Sequence, residues 1–343
     1  VQVSEEAEVG TDIALSLNSE NWFNRITLNA TYWKRNSNDV IYDIDLAPSS
    51  GASGITDNAI TLKSNGFQLG LDADVFSSEN LTWTFGTRFG TAVTVVDKIS
   101  NGMPIALGAG GSGQFTLQEG ERLGAFFGRK PLTSINQTNA DGVPYLDQAN
   151  ASNYEVVNGM VVNKTTKAVQ FTTDNHAIGD PTPKFNMSFI NTLNIRKNLT
   201  VNFQVDWVYG NKIYNQTKQW MYRDLIHGDL DKEITVGEQT GAYVNYYNSL
   251  YFTNVTNSYF VEDGSFVRLR DLSVTYDLGN VLNIGFVRNL QLTASGRNLL
   301  TITDYTGMDP EAGASLNNPL RRGLDLHSFP NMKTVQFGIN IGL

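Results

Sequence analysis

Asp309 and Glu311 stand two residues apart in Gly307-Met-Asp-Pro-Glu311. They are the pair in this chain best spaced for general acid–base chemistry. Glycine before them and proline between them suit a turn, and we read both acids first as turn-forming. A second acidic run, Asp229-Leu-Asp231-Lys-Glu233, alternates like a calcium loop, but it lacks glycine at the sixth position and a closing glutamate. His176, His227 and His327 stand singly, with no H-x-x-x-H or H-E-x-x-H pair, so a zinc hydrolase is not expected. Gly108-Ala-Gly-Gly-Ser-Gly113 lacks the Lys-Ser/Thr that a phosphate-binding loop needs and is predicted to be a flexible loop. No motif asks for a metal or a cofactor, and none is expected.

Non-covalent chemistry is better represented. The segment 214–264 carries Trp220, Tyr222, Arg223, Asp224, Tyr243, Tyr246, Tyr247 and Tyr251. Aromatic faces with polar groups between them suit stacking on sugar rings or clamping a peptide. Trp220, Tyr222, Arg223, Asp224, Tyr246 and Tyr247 are therefore the candidate ligand residues. The same residues also suit an aromatic girdle at a membrane surface, or packing between loops. For the Tyr-rich part a girdle or loop packing comes slightly ahead of ligand binding; for Trp220 to Asp224, Tyr222 included, the readings stand level. A second set, Asp72, Asp74, Arg88, Asp206 and Arg297, lies on the polar side of alternating segments. If that side faces the inside of a barrel, these residues line the lumen or touch whatever fills it, and once buried they need partners.

The elements that must position these residues are strands. Leu199, Val201, Phe203, Val205, Trp207 and Tyr209 alternate with Thr200, Asn202, Gln204 and Asp206. The same period of two runs through Phe67–Val75, Leu81–Phe89, Leu290–Gly296 and Val335–Leu343. Between Leu269 and Leu272 the apolar phase slips around Asp271, which predicts a bulge or a membrane-interface position. The pattern predicts about nine strands, near 5–17, 22–42, 60–76, 81–98, 184–196, 198–213, 265–279, 288–302 and 333–343. Connections alternate: short near 18–21, 77–80, 197–198 and 280–287, long near 43–59, 99–183, 214–264 and 303–332. Bacterial outer-membrane barrels sort their connections this way, short in the periplasm and long outside. A soluble sandwich has no reason to.

Composition agrees. The 343 residues carry a formal charge of −9, which argues against a nucleic-acid partner. There is no cysteine, excluding disulfides and thiolate metal sites. No apolar run approaches the roughly 18–20 residues of a membrane helix. A mean hydropathy of −0.24 suits barrel strands that alternate lipid-facing and polar residues. Asn-x-Thr/Ser triplets at Asn80, Asn163 and Asn254 carry little weight in a chain rich in Asn and Thr. Nine antiparallel strands cannot close on themselves, and an open edge in hydrocarbon leaves unpaired backbone groups costing several kcal/mol each. Further strands, from the same polypeptide or another, are expected to complete the wall. On this strand count Val1 falls in an outer loop.

Several stretches resemble one family in order along the chain. Phe266-Val-Arg-Leu-Arg-Asp-Leu-Ser-Val-Thr-Tyr276, Gly296-Arg-Asn-Leu and Asp304-Tyr-Thr-Gly-Met-Asp-Pro-Glu311, and the terminal Val335-Gln-Phe-Gly-Ile-Asn-Ile-Gly-Leu343, are similar to the C-terminal signature of SusC/RagA-like TonB-dependent transporters of Bacteroidetes. Glu119–Gly128, Asn139–Gly142, Ile178–Phe185, Tyr209–Asn215 and Leu326–Gly338 resemble further elements of that family. The resemblance implies an all-β, transmembrane antiparallel barrel of about 22 strands, of which residues 1–343 would be the C-terminal part. The plug and the TonB-contacting segment would lie upstream. It further implies import of an oligosaccharide or peptide, a SusD-like lipoprotein lid on the outer loops, contact with outer-membrane lipid, and no enzyme activity. Family members usually end in an aromatic residue; this chain ends in Leu343. The alternative is a structural or assembly barrel in a surface or secretion complex, without import, whose expanded 99–183 loop serves docking.

Overall fold

The computed structural model describes residues 9–18, 25–45, 51, 54–107, 115–196, 198–252, 255–279, 289–311 and 322–342. Nine strands form one antiparallel sheet in sequence order: β1 (Val9–Asn18), β2 (Ile26–Asp45), β3 (Gly54–Ser77), β4 (Leu81–Ile99), β5 (Phe185–Ile195), β6 (Leu199–Tyr209), β7 (Phe266–Asp277), β8 (Asn289–Thr303) and β9 (Thr334–Gly342). Each pairs with its chain neighbour, and β4 pairs with β5 across the long 100–184 connection. Among the described residues β1 and β9 are the two edges of this sheet. No helix among them is long and apolar enough to cross a membrane.

Register puts the alternation to use. Val201 pairs with Leu193 and Val274, and Phe203 with Leu272, so apolar side chains align across the sheet, while the other partner of Phe203, buried Asn191, accepts from the Trp83 indole. Asp206 pairs with Ser188 and Arg268 on the opposite, polar face. The predicted phase slip is a bulge: the register of β7 shifts between Leu269 and Asp271 against β8, and between Gln204 and Val205 against β6. The extra residue places Arg268, Arg270 and Asp271 together toward the polar face.

Strand lengths divide the sheet into two zones. The 11 residues of β5 and of β6 span about 36 Å at ~3.3 Å per residue, or about 26 Å of depth at a 45° tilt, close to one apolar bilayer band. The 24 residues of β3 reach roughly twice as far. In that extra length Ala59, Ile60, Val96 and Ile99 are buried against Leu107, Phe115, Leu117 and Phe126 of the long connection. The connections are therefore packed as a cap with its own hydrophobic core, which continues through Val162, Tyr214, Tyr222, Leu250 and Phe260.

Three expectations need correction. The long 43–59 loop is mostly strand, because β2 and β3 run on to Asp45 and Gly54. Their polar tips Asp43, Asp57 and Asn58 hid the alternation. The predicted strand 198–213 ends at Tyr209: Gly210 takes φ +84° where Lys184 occupies the space of a Cβ. Residues Lys212–Asn215 then leave the wall to pair with Val261–Asp263 and Leu324–Asp325. The segment 214–264, expected as loop, contains two helices, α1 (Gln216–Arg223) and α2 (Val244–Tyr251). Asn215 caps α1 by accepting from the Lys218 N–H. The buried face of α1 is Gln216, Gln219 and Tyr222. Gln219 accepts from the Tyr214 hydroxyl and donates to the carbonyls of Tyr251 and Val255. A helix that buries glutamines shows no apolar stripe in its sequence. The run Gly108–Gly113, Asn254 and Leu343 lie outside the described residues.

Candidate functional site

Rows of side-chain hydrogen bonds cross the polar face. Asn194 donates to Thr82 and accepts from Thr200, and Thr192 donates to Asn202, which donates to Ser273. Such cross-strand pairs stabilise the register that aligns them. One guanidinium nitrogen of Arg88 donates to both carboxylate oxygens of Asp72, at 2.8 and 3.0 Å, in an exposed pair. Asp74 lines a groove on the same face, together with Arg25. Asp206 accepts from Ser188, Gln204 and Arg270. Arg297 lies 3.4 Å from Asp271, beside a cavity of about 490 Å³ that Gln204 and Arg270 also line. All five residues named from the sequence thus share one face.

On the same face two arginines of β7 join Asp309, Glu311 and Asp206 in one cluster. Arg268, 2% exposed, donates to Asp309 at 2.5 Å, Glu311 at 2.6 Å and Thr301. Arg270 grips Glu311 through two nitrogens at 2.8 Å and Asp206 at 2.6 Å. Two guanidiniums of one strand therefore clamp the segment that follows β8 against the wall. Burial alone would raise the Asp309 carboxyl. The Glu311 and Asn331 backbone N–H groups and Arg268 outweigh it and hold Asp309 below the usual carboxylate range. An ionised acceptor tied up in this way is a brace, in keeping with the turn-forming reading. The signal in the sequence was Arg-x-Arg on one strand and Asp-x-Glu just after the next.

In the cap the six candidate ligand residues separate. Tyr222, Tyr246 and Tyr247 are 0%, 2% and 5% exposed and belong to its core. The Tyr222 ring meets Tyr247 and Phe260 edge-on, and its hydroxyl donates to Asp229 at 2.5 Å. Burial, reinforced by that carboxylate, pushes the Tyr222 hydroxyl up. In this conformation the three tyrosines are packing, because a ring enclosed on all sides has no face left for a ligand. Asp229, of the acidic run, also holds Lys232 at 2.6 Å. Trp220 is half-buried, with Arg223 at 4.9 Å and His327 at 5.2 Å from its ring. Arg223 and Asp224 are exposed and paired with each other at 2.6 and 2.9 Å.

A cavity of about 430 Å³ opens beside this helix, lined by Lys218, Met221, His227, Met308, His327 and Phe329 among others. Its frame is pinned. Asp325 accepts from the Tyr305 hydroxyl at 2.5 Å, and Thr217 accepts from the His327 N–H. Glu262 accepts from the Thr306 N–H and hydroxyl, and from Lys218 and Asn215. Neither Asp325 nor Glu262 drew notice in the sequence, because each lies far along the chain from what it holds.

No protein-family model matches the chain. TonB-dependent receptor P3 of Formosa agariphila is 28% identical over 352 residues, covering 99% of this chain and 34% of its own length. TonB-dependent receptor P26 of the same organism is 25% identical, covering 96% of this chain and 34% of its own length. The chain therefore spans about a third of the curated relatives it matches. The RagAB peptide importer in its closed-closed state superposes with a TM-score of 0.70 at 17% identity, covering 97% of this chain and 35% of that one. The open-open state gives 0.67 at 16% identity, covering 98% and 34%. At such identity the solved structures speak for the fold alone, and the receptors supply the likeness in sequence. An amphipathic antiparallel sheet with a packed cap at one end, similar over nearly its whole length to TonB-dependent receptors, is a segment of an outer-membrane β-barrel.

Proposed function

We propose that this chain supplies wall and outer ligand surface to an outer-membrane importer driven by TonB, which takes up oligosaccharides or peptides and performs no covalent chemistry. The alignment of nearly the whole chain with TonB-dependent receptors carries this reading. The apolar face meets lipid, and the polar face, with Asp72, Asp74, Arg88, Asp206 and Arg297, faces the lumen and a plug that belongs to the rest of the transporter. Additional strands pair with the edges β1 and β9, TonB acts through the plug side, and a SusD-like lipoprotein rests on the cap. Trp220, Arg223 and Asp224 sit at the cap surface, where ligand or lid would arrive.

The Arg268–Arg270 clamp supports the same reading from inside. It ties the segment after β8 to the wall, so that the outer cavity keeps its shape while a plug moves beneath it. The test is uptake in the native host. Deleting the gene should abolish TonB-dependent growth on one polymer hydrolysate, and restoring the whole gene should recover it. Normal growth of the deletion strain on every peptide and oligosaccharide source, with loss of surface proteins instead, would replace import by the scaffold role.

A further inference from the structure

The cavity beside α1 has a chemistry that separates the two ligand classes. Sugar recognition needs an open aromatic face and polar groups free to bond hydroxyls. Here the aromatic residues are engaged by the protein: Trp220 by Arg223 and His327, and Tyr222, Tyr246 and Tyr247 by the cap core. The polar groups of the frame are engaged too. Asp325 is held by Tyr305, Glu262 lies behind Lys218 and Thr306, and the Asp229 N–H donates to His227. What projects at the opening is apolar. Met308 is 79% and Phe329 94% exposed, and both line the cavity with Met221. Thioethers and a lone phenyl ring adapt to varied apolar shapes and offer little to a hydroxylated ring. A volume of about 430 Å³ is ample for one large side chain together with a stretch of backbone.

We propose that this cavity is a specificity subsite for a bulky apolar side chain, Leu, Met or Phe, of an imported peptide; the proposal rests on the importer reading above. The side chain would insert between Met221, Met308 and Phe329.

The experiment uses the complete transporter in detergent and a fluorescent Gly–Ser peptide carrying a single Phe, compared with the same peptide carrying Ser. Burial of one such side chain predicts roughly tenfold or greater preference for the Phe peptide. The double variant M308S/F329S replaces two exposed residues, so its folding should be unaffected, and it should erase that preference. An equal preference in wild type and double variant would overturn the subsite. Growth of the host on a peptide digest and on a laminarin hydrolysate is scored in parallel. TonB-dependent growth on the laminarin hydrolysate alone would leave the importer standing and refute the peptide subsite. No binding of either peptide by the complete transporter, with no TonB-dependent growth on the peptide digest, would refute the subsite and leave import to the wider growth test above.

Discussion

Arg268 shows how much one side chain can carry when it is removed from water. It is almost fully buried and holds two carboxylates and a hydroxyl. Arg268→Ala should leave Asp309 as a buried charge without its partner, at a cost of about 3–5 kcal/mol. The expected result is a clear drop in the thermal midpoint of the solubilised transporter. Arg268→Lys should fall between, since an ammonium keeps the charge and loses the fork that reaches both acids at once. Gly66 makes a steric case of the same kind. It lies opposite Trp33, and a Cβ there would come within 2.5 Å of the indole and 2.6 Å of the Thr91 carbonyl. Gly66→Ala should lower the thermal midpoint although the substitution adds one methyl group, because neither the carbonyl nor the ring in its register can yield cheaply.

At the scale of elements, the cap has a pH dependence with a definite sign. Burial pushes the His227 imidazole below its usual value, with Lys218 and Lys232 adding to the effect and Asp229 and Glu262 opposing it. The unfolded chain therefore binds a proton at a higher pH than the folded cap does. The stability linked to His227 is complete above about pH 6.5 and is lost as pH falls from there through the lower folded value. His227→Gln should flatten that part of the curve of thermal midpoint against pH. Asp229 is lowered as well, Lys232 and Tyr222 outweighing the burial that would raise it. Its contribution persists above the ordinary carboxylate range and disappears only in stronger acid, so the two groups separate along one titration.

The whole molecule is a wall, and its two faces should answer a charge differently. Val205 lies near the middle of β6 on the apolar face, and Gln204 beside it on the polar face donates to Asp206. Val205→Arg in the complete transporter should cost about 2–4 kcal/mol near the bilayer midplane. Gln204→Arg, which can still donate to Asp206, should change stability little. Reversed outcomes in a lipid refolding titration would invert the assignment of faces. The edges matter at the same scale, because among the described residues β1 and β9 each have a wall neighbour on one side. Produced by itself in lipid, this chain should remain sensitive to protease, and added strands should protect it.

The wall was legible in the residues because a side-chain period of two and a one-sided apolar environment are local properties, and both are written directly into types such as Val201, Phe203 and Val205. The bulge near Asp271 was legible for the same reason, as a slip in that period. The cap was not. Gln219 is buried because it reaches the carbonyls of Tyr251 and Val255, and Asp309 is buried because Arg268, about forty positions away in sequence, neutralises it. Nothing local distinguishes a glutamine or an aspartate with such a partner from one in water. Alternation and composition were enough for an all-β membrane wall of successive strands and for its two faces. Which aromatic residues are core, which acids are braces and where an apolar cavity is left open were not legible, because those outcomes depend on partners brought together from distant parts of the chain.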